Sequence, residues 1–332
     1  MKRPTQKKVE PAFKRLSEYE PKKINWFWDQ LIPFGMTTVV EGDPGLGKSY
    51  LLMHLAALLT RGATLPTGQR MRPRDVVYCT TEDSYSYTFS PRIKALGGNP
   101  DKIWVQGKYS AFDDDGLRTL RHHVRRHKPG LIVLDPLFNY MPADRNAYSP
   151  NEIRAIMGEL NEIGESSNAA VLLIRHLTKT KRDKQIYQGA GGIDVIGFAR
   201  SAIRIEKHPD NPDLRLMVHL KWNLTTQSKS WVYEVVKKDG EDLPIIQWRG
   251  QSDISIDDLG SDDSDERPPP RRNAVEFLRA ELKDGPMPAK YLLEKAENEG
   301  IKKRTLDRAK SELNVIVEQQ KRKWVWRLPS DG

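Results

Sequence analysis

The sequence predicts an α/β fold: a mostly parallel sheet carrying a phosphate-binding loop, followed by a small unit of helices and a β-hairpin. Three observations point there. Residues 36–40, 131–135 and 169–174 are short runs, almost entirely apolar or β-branched, and a fourth at 75–83 ends in two acids. Strands buried on both faces of a parallel sheet read this way, and helical patterns alternate with them. The first run leads directly into Gly42-x-x-x-x-Gly47-Lys48-Ser49, which in turn opens an apolar helix over 50–60. Finally, residues 253–266 hold seven acids and no base, and three prolines follow at 268–270. That composition is a linker. It divides the chain into a basic arm at 1–23, a core at 24–252, the linker at 253–270 and a C-terminal unit at 271–332.

The chain has 332 residues, enough for one large domain and one small one. Its single cysteine, Cys79, lies in an apolar run, so a buried thiol is expected and no intrachain disulfide can form. This suits a cytoplasmic protein. No apolar run is long enough to span a membrane, and the basic N-terminus lacks the apolar centre of a secretory signal. A formal charge of +9 favours a polyanionic partner such as nucleic acid.

Along the core, Trp26, Phe27 and Trp28 are expected to pack rather than bind. The loop is read as Gly42, Asp43, Pro44, Gly45, Leu46 and Gly47, with Lys48, Ser49 and Tyr50 opening the helix. Strand, glycine-rich turn and helix start place backbone N–H groups where they cradle phosphates. Lys48 is expected on the β- and γ-phosphates of ATP, and the Ser49 hydroxyl on Mg²⁺. Gly62 is the expected C-cap. Acids at 113–115 and bases near His127 frame a helix as its dipole favours. The run 131–135 ends in Asp135, the second expected Mg²⁺ ligand. Ser149 and Pro150 start the next helix, over 150–167. Many ATPases place a glutamate directly after that aspartate, but Pro136 stands there. The water-activating acid must come from another strand end, and Glu82 is the candidate. His176, at the end of the next strand, is either a group that senses the γ-phosphate or a structural histidine. Residues 200–205 and 214–220 flank a turn-rich 208–213 and predict a hairpin, and 231–236 and 245–248 continue the β pattern.

In the C-terminal unit, helical patterns at 273–282, 288–298 and 302–313 precede alternating strands at 315–317 and 324–326. This describes a winged helix-turn-helix. Lys302, Lys303, Arg304, Arg308 and Lys310 lie on or before its expected recognition helix, and Lys321, Arg322 and Lys323 at its wing tip. Duplex DNA is the expected partner.

The motif set resembles the RepA-type hexameric helicases within the RecA/DnaB-like ATPases. The resemblance rests on the loop, Thr81-Glu82-Asp83, Asp135, Arg175-His176, Gly189-Ala-Gly-Gly192, Phe198-Ala-Arg200 and Lys221-Trp-Asn223, and spans roughly residues 24 to 250. It implies a RecA-like core, Glu82 as catalytic glutamate, and Arg200 and Lys221 reaching a neighbour's nucleotide within a homo-oligomeric ring, a hexamer. The C-terminal unit is similar to one on related ATPases of phages, prophages and plasmids. Two functions compete. One is a ring that translocates on single-stranded DNA, a replicative-type helicase gripping the strand with a basic loop that includes Lys179, Lys181 and Arg182. For that loop a merely solvated run is the other reading. The second function is a DNA-bound ATP switch without unwinding. A kinase-type protein ranks third, having no use for Glu82 or the late β-rich region.

Overall fold

The computed structural model describes residues 15–142, 149–177, 192–237, 240–259, 270–301, 303–320 and 323–329. The early aromatics form β1 (Trp26–Trp28), which pairs with β2 (Ile32–Pro33). The phosphate-loop strand is β3 (Thr37–Gly42), followed by α1 (Lys48–Arg61). Then come β4 (Val76–Thr80), α2 (Ser90–Ala95), β5 (Ile103–Val105), α3 (Asp114–His127) and β6 (Leu131–Asp135). The core continues with α4 (Pro150–Ser167), β7 (Ala170–His176), α5 (Gly192–Phe198), β8 (Ser201–His208), β9 (Asn211–Trp222), β10 (Ser230–Val236) and β11 (Ile245–Ser252).

Strands β3 to β11 make one nine-stranded sheet in the order β11-β10-β9-β8-β3-β7-β6-β4-β5. From β8 to β5 every pair is parallel, whereas β9, β10 and β11 add on antiparallel. The apolar strands follow from this layering. Val40, Tyr78, Val133 and Leu172 face a core shared with α1 and α2, while their neighbours Val39, Cys79, Ile132 and Val171 face one shared with α3, α4 and α5. Both faces are covered, so alternation of polar and apolar residues disappears. Trp28 packs against Trp231 and Trp248, with ring centroids 5.2 and 4.8 Å away, tying β1 to the antiparallel end of the sheet.

Helix ends follow the local chemistry, with one exception. The Asp113 carboxylate accepts from the backbone N–H groups of Asp115 and Gly116, a side-chain N-cap. Gly62 ends α1 at φ 66°. Ser149 occupies the N-cap of α4 but makes no side-chain cap bond there; Pro150, without an N–H, leaves the first turn with one unsatisfied donor fewer.

The C-terminal residues form α6 (Pro270–Leu282), β12 (Met287–Pro288), α7 (Ala289–Asn298), α8 (Lys303–Glu312), β13 (Ile316–Gln320) and β14 (Lys323–Arg327). Leu278, Leu292, Leu306 and Trp326 are buried in a core belonging to this unit alone. The expected hairpin gains a third strand, because Met287 and Pro288 pair with Trp326 and Val325. Two residues carry no periodicity, which is why the sequence does not announce β12.

Candidate nucleotide site

Six residues of strand deliver the chain to Gly42, and the turn that follows needs glycine for two different reasons. At Gly42 a Cβ would meet the Ile205 carbonyl oxygen at 2.5 Å, so β8 and β3 approach only because no side chain intervenes. Gly47 faces open space, but at φ 80° it holds the left-handed turn that starts α1. Lys48 is the first residue of that helix and is 4% exposed. Its Nζ donates to the carbonyls of Gly42 and Asp43 at 2.9 and 2.8 Å, centring the ammonium in the loop with one N–H left over. Burial lowers its pKa, opposed by Asp135, Asp43, Glu82 and Glu41.

Ser49 and Asp135 are 86 residues apart in sequence and meet at 3.2 Å, the hydroxyl donating to Oδ1. The other carboxylate oxygen, Oδ2, accepts from the Tyr78 hydroxyl at 3.1 Å. Asp135 is fully buried, and desolvation pushes its carboxyl up to about 6; the Ser49 and Tyr78 bonds counter this, while Glu82 and Asp83 add to it. A carboxylate held among other acids beside a hydroxyl is a fitting place for a hard divalent cation. Among the described residues no group of three or more His, Cys, Asp and Glu could cage a metal. Mg²⁺ needs only one or two protein oxygens and completes its shell with phosphates and water. Ser49 and Asp135 would hold it.

Glu82 and Asp83 differ sharply in their surroundings. Asp83 Oδ1 is bound by Arg92 Nη1 at 2.7 Å, and its side chain is 10% exposed. Glu82 is 47% exposed, its backbone N–H held by Thr80 Oγ1 at 3.3 Å, and its Oε1 lies 3.5 Å from His176 Nε2. Lys48, Ser49, Asp135, Glu82 and His176 therefore gather at the carboxyl ends of β3, β4, β6 and β7, where open parallel sheets bind ligands. Tyr50 lies next to Ser49 on α1, and its hydroxyl donates to the Pro244 carbonyl.

Arg200 and Lys221 lie elsewhere. Arg200 N–H donates to the Thr37 carbonyl at the start of β3, and Lys221 pairs with Ala202 at the same level. Gly42 is five residues further along β3, about 16 Å at roughly 3.3 Å per residue. Lys221 Nζ donates to the carbonyls of Ile196, Gly197 and Ala199, closing the C-terminus of α5, while Arg200 is exposed. Lys179, Lys181, Arg182, Lys302, Lys321 and Arg322 lie outside the described residues. Lys303, Arg304, Arg308 and Lys310 lie on α8, and Lys323 opens β14. The Lys310 ammonium sits 4.6 Å from the Trp326 ring centroid.

Two features escaped the sequence. Tyr78, in the middle of an apolar run, looks like core and instead positions Asp135. Glu41, one residue before the loop, is fully buried between two buried arginines: Oε2 accepts from Arg175 Nε at 2.6 Å and Oε1 from Arg204 Nε at 2.7 Å. Each charge lies on a different strand, so only the order β8-β3-β7 brings them together.

An AAA domain model matches residues 3–182. The DNA repair protein RadA of Streptococcus pneumoniae is 23% identical over 147 residues, 44% of this chain and 31% of that protein. RadA of Listeria monocytogenes is 26% identical over 147 residues, covering 44% and 28%. RadA of Chlamydia pneumoniae is 26% identical over 164 residues, covering 46% and 31%. The chain spans less than a third of the length of these relatives. The matched domain takes in the loop, Glu82 and Asp135 and covers more than half of the chain, which therefore belongs to the AAA domain family of P-loop NTPases.

Proposed function

We propose that this protein hydrolyses ATP as a ring of identical subunits that acts on DNA, a motor of the RepA-type helicase kind. The single observation behind the ring is where the cations lie. Charge developing on the γ-phosphoryl oxygens calls for an arginine finger, supplied in cis or by a partner. Arg200 is exposed at the end of the sheet opposite its own loop, so a neighbouring subunit is the nucleotide it can serve. Lys221 would first have to leave three carbonyls, which makes Arg200 the better finger.

Within one subunit the geometry supports the following division of work. The loop N–H groups and Lys48 bind the phosphates. Ser49 and Asp135 would hold Mg²⁺, which when bound offsets phosphate charge. Glu82 accepts the proton of the attacking water, and His176, beside it, orients that carboxylate and senses the γ-phosphate. The DNA partner rests on the relatives' description as DNA repair proteins, on the chain's charge of +9, and on the C-terminal unit. Its order of helix, strand, two helices and hairpin suits a winged helix-turn-helix with α8 as recognition helix. In this reading the core runs over 24–252 and the C-terminal domain over 271–332.

A duplex-binding C-terminal unit also suits the second reading, an ATP switch that stays on one DNA site. Mixing separates ring from monomer: Arg200→Ala and Lys48→Ala, each inactive alone, should together recover partial ATP turnover. A labelled-subunit control must show exchange. No recovery at any ratio despite exchange would mean that the arginine acts within its own subunit or that the ring needs every site intact, and a monomer fully active at high dilution would refute a finger acting in trans. Unwinding of a forked duplex then distinguishes motor from switch.

A further inference from the structure

The ends of β4, β5 and β6 line an open cavity of about 530 Å³ beside the nucleotide site but sharing no residue with the phosphate loop. Its size is in the range of pockets that take small organic ligands. Thr80, Thr81 and Tyr85 form one wall, Gln106 and Tyr109 another, and Asn139 closes it. Among the described residues, no charged side chain lines it. An anion would find no partner there, whereas a neutral planar ring with donors and acceptors would.

The walls are held in place. The Tyr85 hydroxyl donates to the Thr80 carbonyl at 3.4 Å. The Tyr109 hydroxyl donates to the Asn139 carbonyl at 2.7 Å, leaving a ring that is 55% exposed and ready to stack. The Gln106 and Asn139 amides each give one N–H to the protein, to the Ser110 carbonyl and to Thr81 Oγ1, and carry a second N–H and an acceptor oxygen, the pair that the edge of a base requires. Lys108, exposed between lining residues Gly107 and Tyr109, supplies a cation at the rim for a phosphate.

We propose that this cavity binds a nucleobase stacked on Tyr109. The cavity also touches the chemistry. Asn139 Nδ2 donates to Thr81 Oγ1 at 2.7 Å, and Thr80 Oγ1 accepts the Glu82 N–H. A base seated there rests against Thr80, whose hydroxyl accepts the Glu82 N–H, and against Thr81, the residue before that glutamate. An unpaired base of a strand or a free nucleoside would supply the same ring; the strand rests on the DNA-acting reading above.

The test uses the full chain and fluorescence anisotropy with a labelled twenty-nucleotide thymidine strand and an abasic strand of equal length. Stacking on an aromatic ring should favour the base-bearing strand by about five- to a hundredfold. Tyr109→Ala should erase that preference without weakening abasic binding, and Tyr109→Phe should keep it. At saturation, the base-bearing strand should raise ATP turnover above the abasic one in wild type and not in Tyr109→Ala. A fluorescent ethenoadenosine, titrated with the phosphate loop filled by Mg·ADP, tests the free nucleoside. Equal affinity of wild type for both strands, with no nucleoside binding, would overturn the inference. Absence of binding to either strand would instead refute the DNA-acting reading, and Tyr109-dependent nucleoside binding would then identify the cavity as a nucleoside site.

Discussion

Replacing Glu82 by Gln and, separately, Asp83 by Asn should separate chemistry from architecture at adjacent residues. Glu82 is half-exposed, and its Oε1 lies 3.5 Å from His176 Nε2. Its amide analogue should leave folding stability within about 0.5 kcal/mol. Turnover should fall by a factor of about 10² to 10⁴, the scale for losing a positioned base, which is about 3 to 5 kcal/mol of barrier. ATP binding should survive and tighten, since a negative charge beside Asp135 has gone. Asp83→Asn does the reverse. It weakens a 2.7 Å ion pair whose carboxylate side is nearly buried. Losing a charged hydrogen bond of that kind costs about 1.5 to 3 kcal/mol, or roughly 3 to 10 °C of melting temperature for a domain this large. Turnover should fall far less. The assays are steady-state ATP hydrolysis with a phosphate readout, nucleotide titration, and thermal melts of both variants. If Asp83→Asn abolishes turnover with unchanged melting while Glu82→Gln remains active, the assignment of the acid is wrong.

Three further outcomes are expected. Lys48→Ala should lose nucleotide binding and hydrolysis together while keeping its circular dichroism; near-normal turnover would refute the site. Glu41→Gln should destabilise the core by about 3 to 5 kcal/mol, because it strips the carboxylate from two fully buried guanidinium groups. An unchanged urea midpoint would show that the trio is compensated elsewhere. Acid should weaken the fold through His219, whose burial lowers its pKa from 6.5 to about 4. Neutral in the folded chain and proton-binding in the unfolded one, it stabilises fully above pH 6.5, and that contribution drains as pH falls toward 4. By about pH 5 the loss is roughly 2 kcal/mol. His54 is lowered to about 4 in the same way, so His219→Phe should roughly halve the fall of the urea midpoint between pH 7 and 5, and an unchanged slope would reject the assignment.

Local chemistry made the nucleotide site legible. The loop's glycines, Lys48 and Ser49 are contiguous because a turn between strand and helix is built from neighbouring residues, and Asp135 stands out as the acid ending an apolar strand. The parallel sheet was legible for a related reason: covering both faces removes alternation from every strand. What the sequence alone left open rests on register. Thr81-Glu82-Asp83 offered two acids, and only the packing of α2 against β4, which brings Arg92 to Asp83, leaves Glu82 beside His176. Tyr78 reads as core until β6 lies beside β4 and places Asp135 against its hydroxyl. Arg200 and Lys221 are motif residues in sequence, yet their distance from the loop is a property of strand direction: β8 starts where β3 starts, so whatever begins β8 lies a full strand away from Gly42. A chain determines its local turns and its burial pattern by itself. Which charges meet, and which lie apart, is decided when strands distant in sequence choose their neighbours.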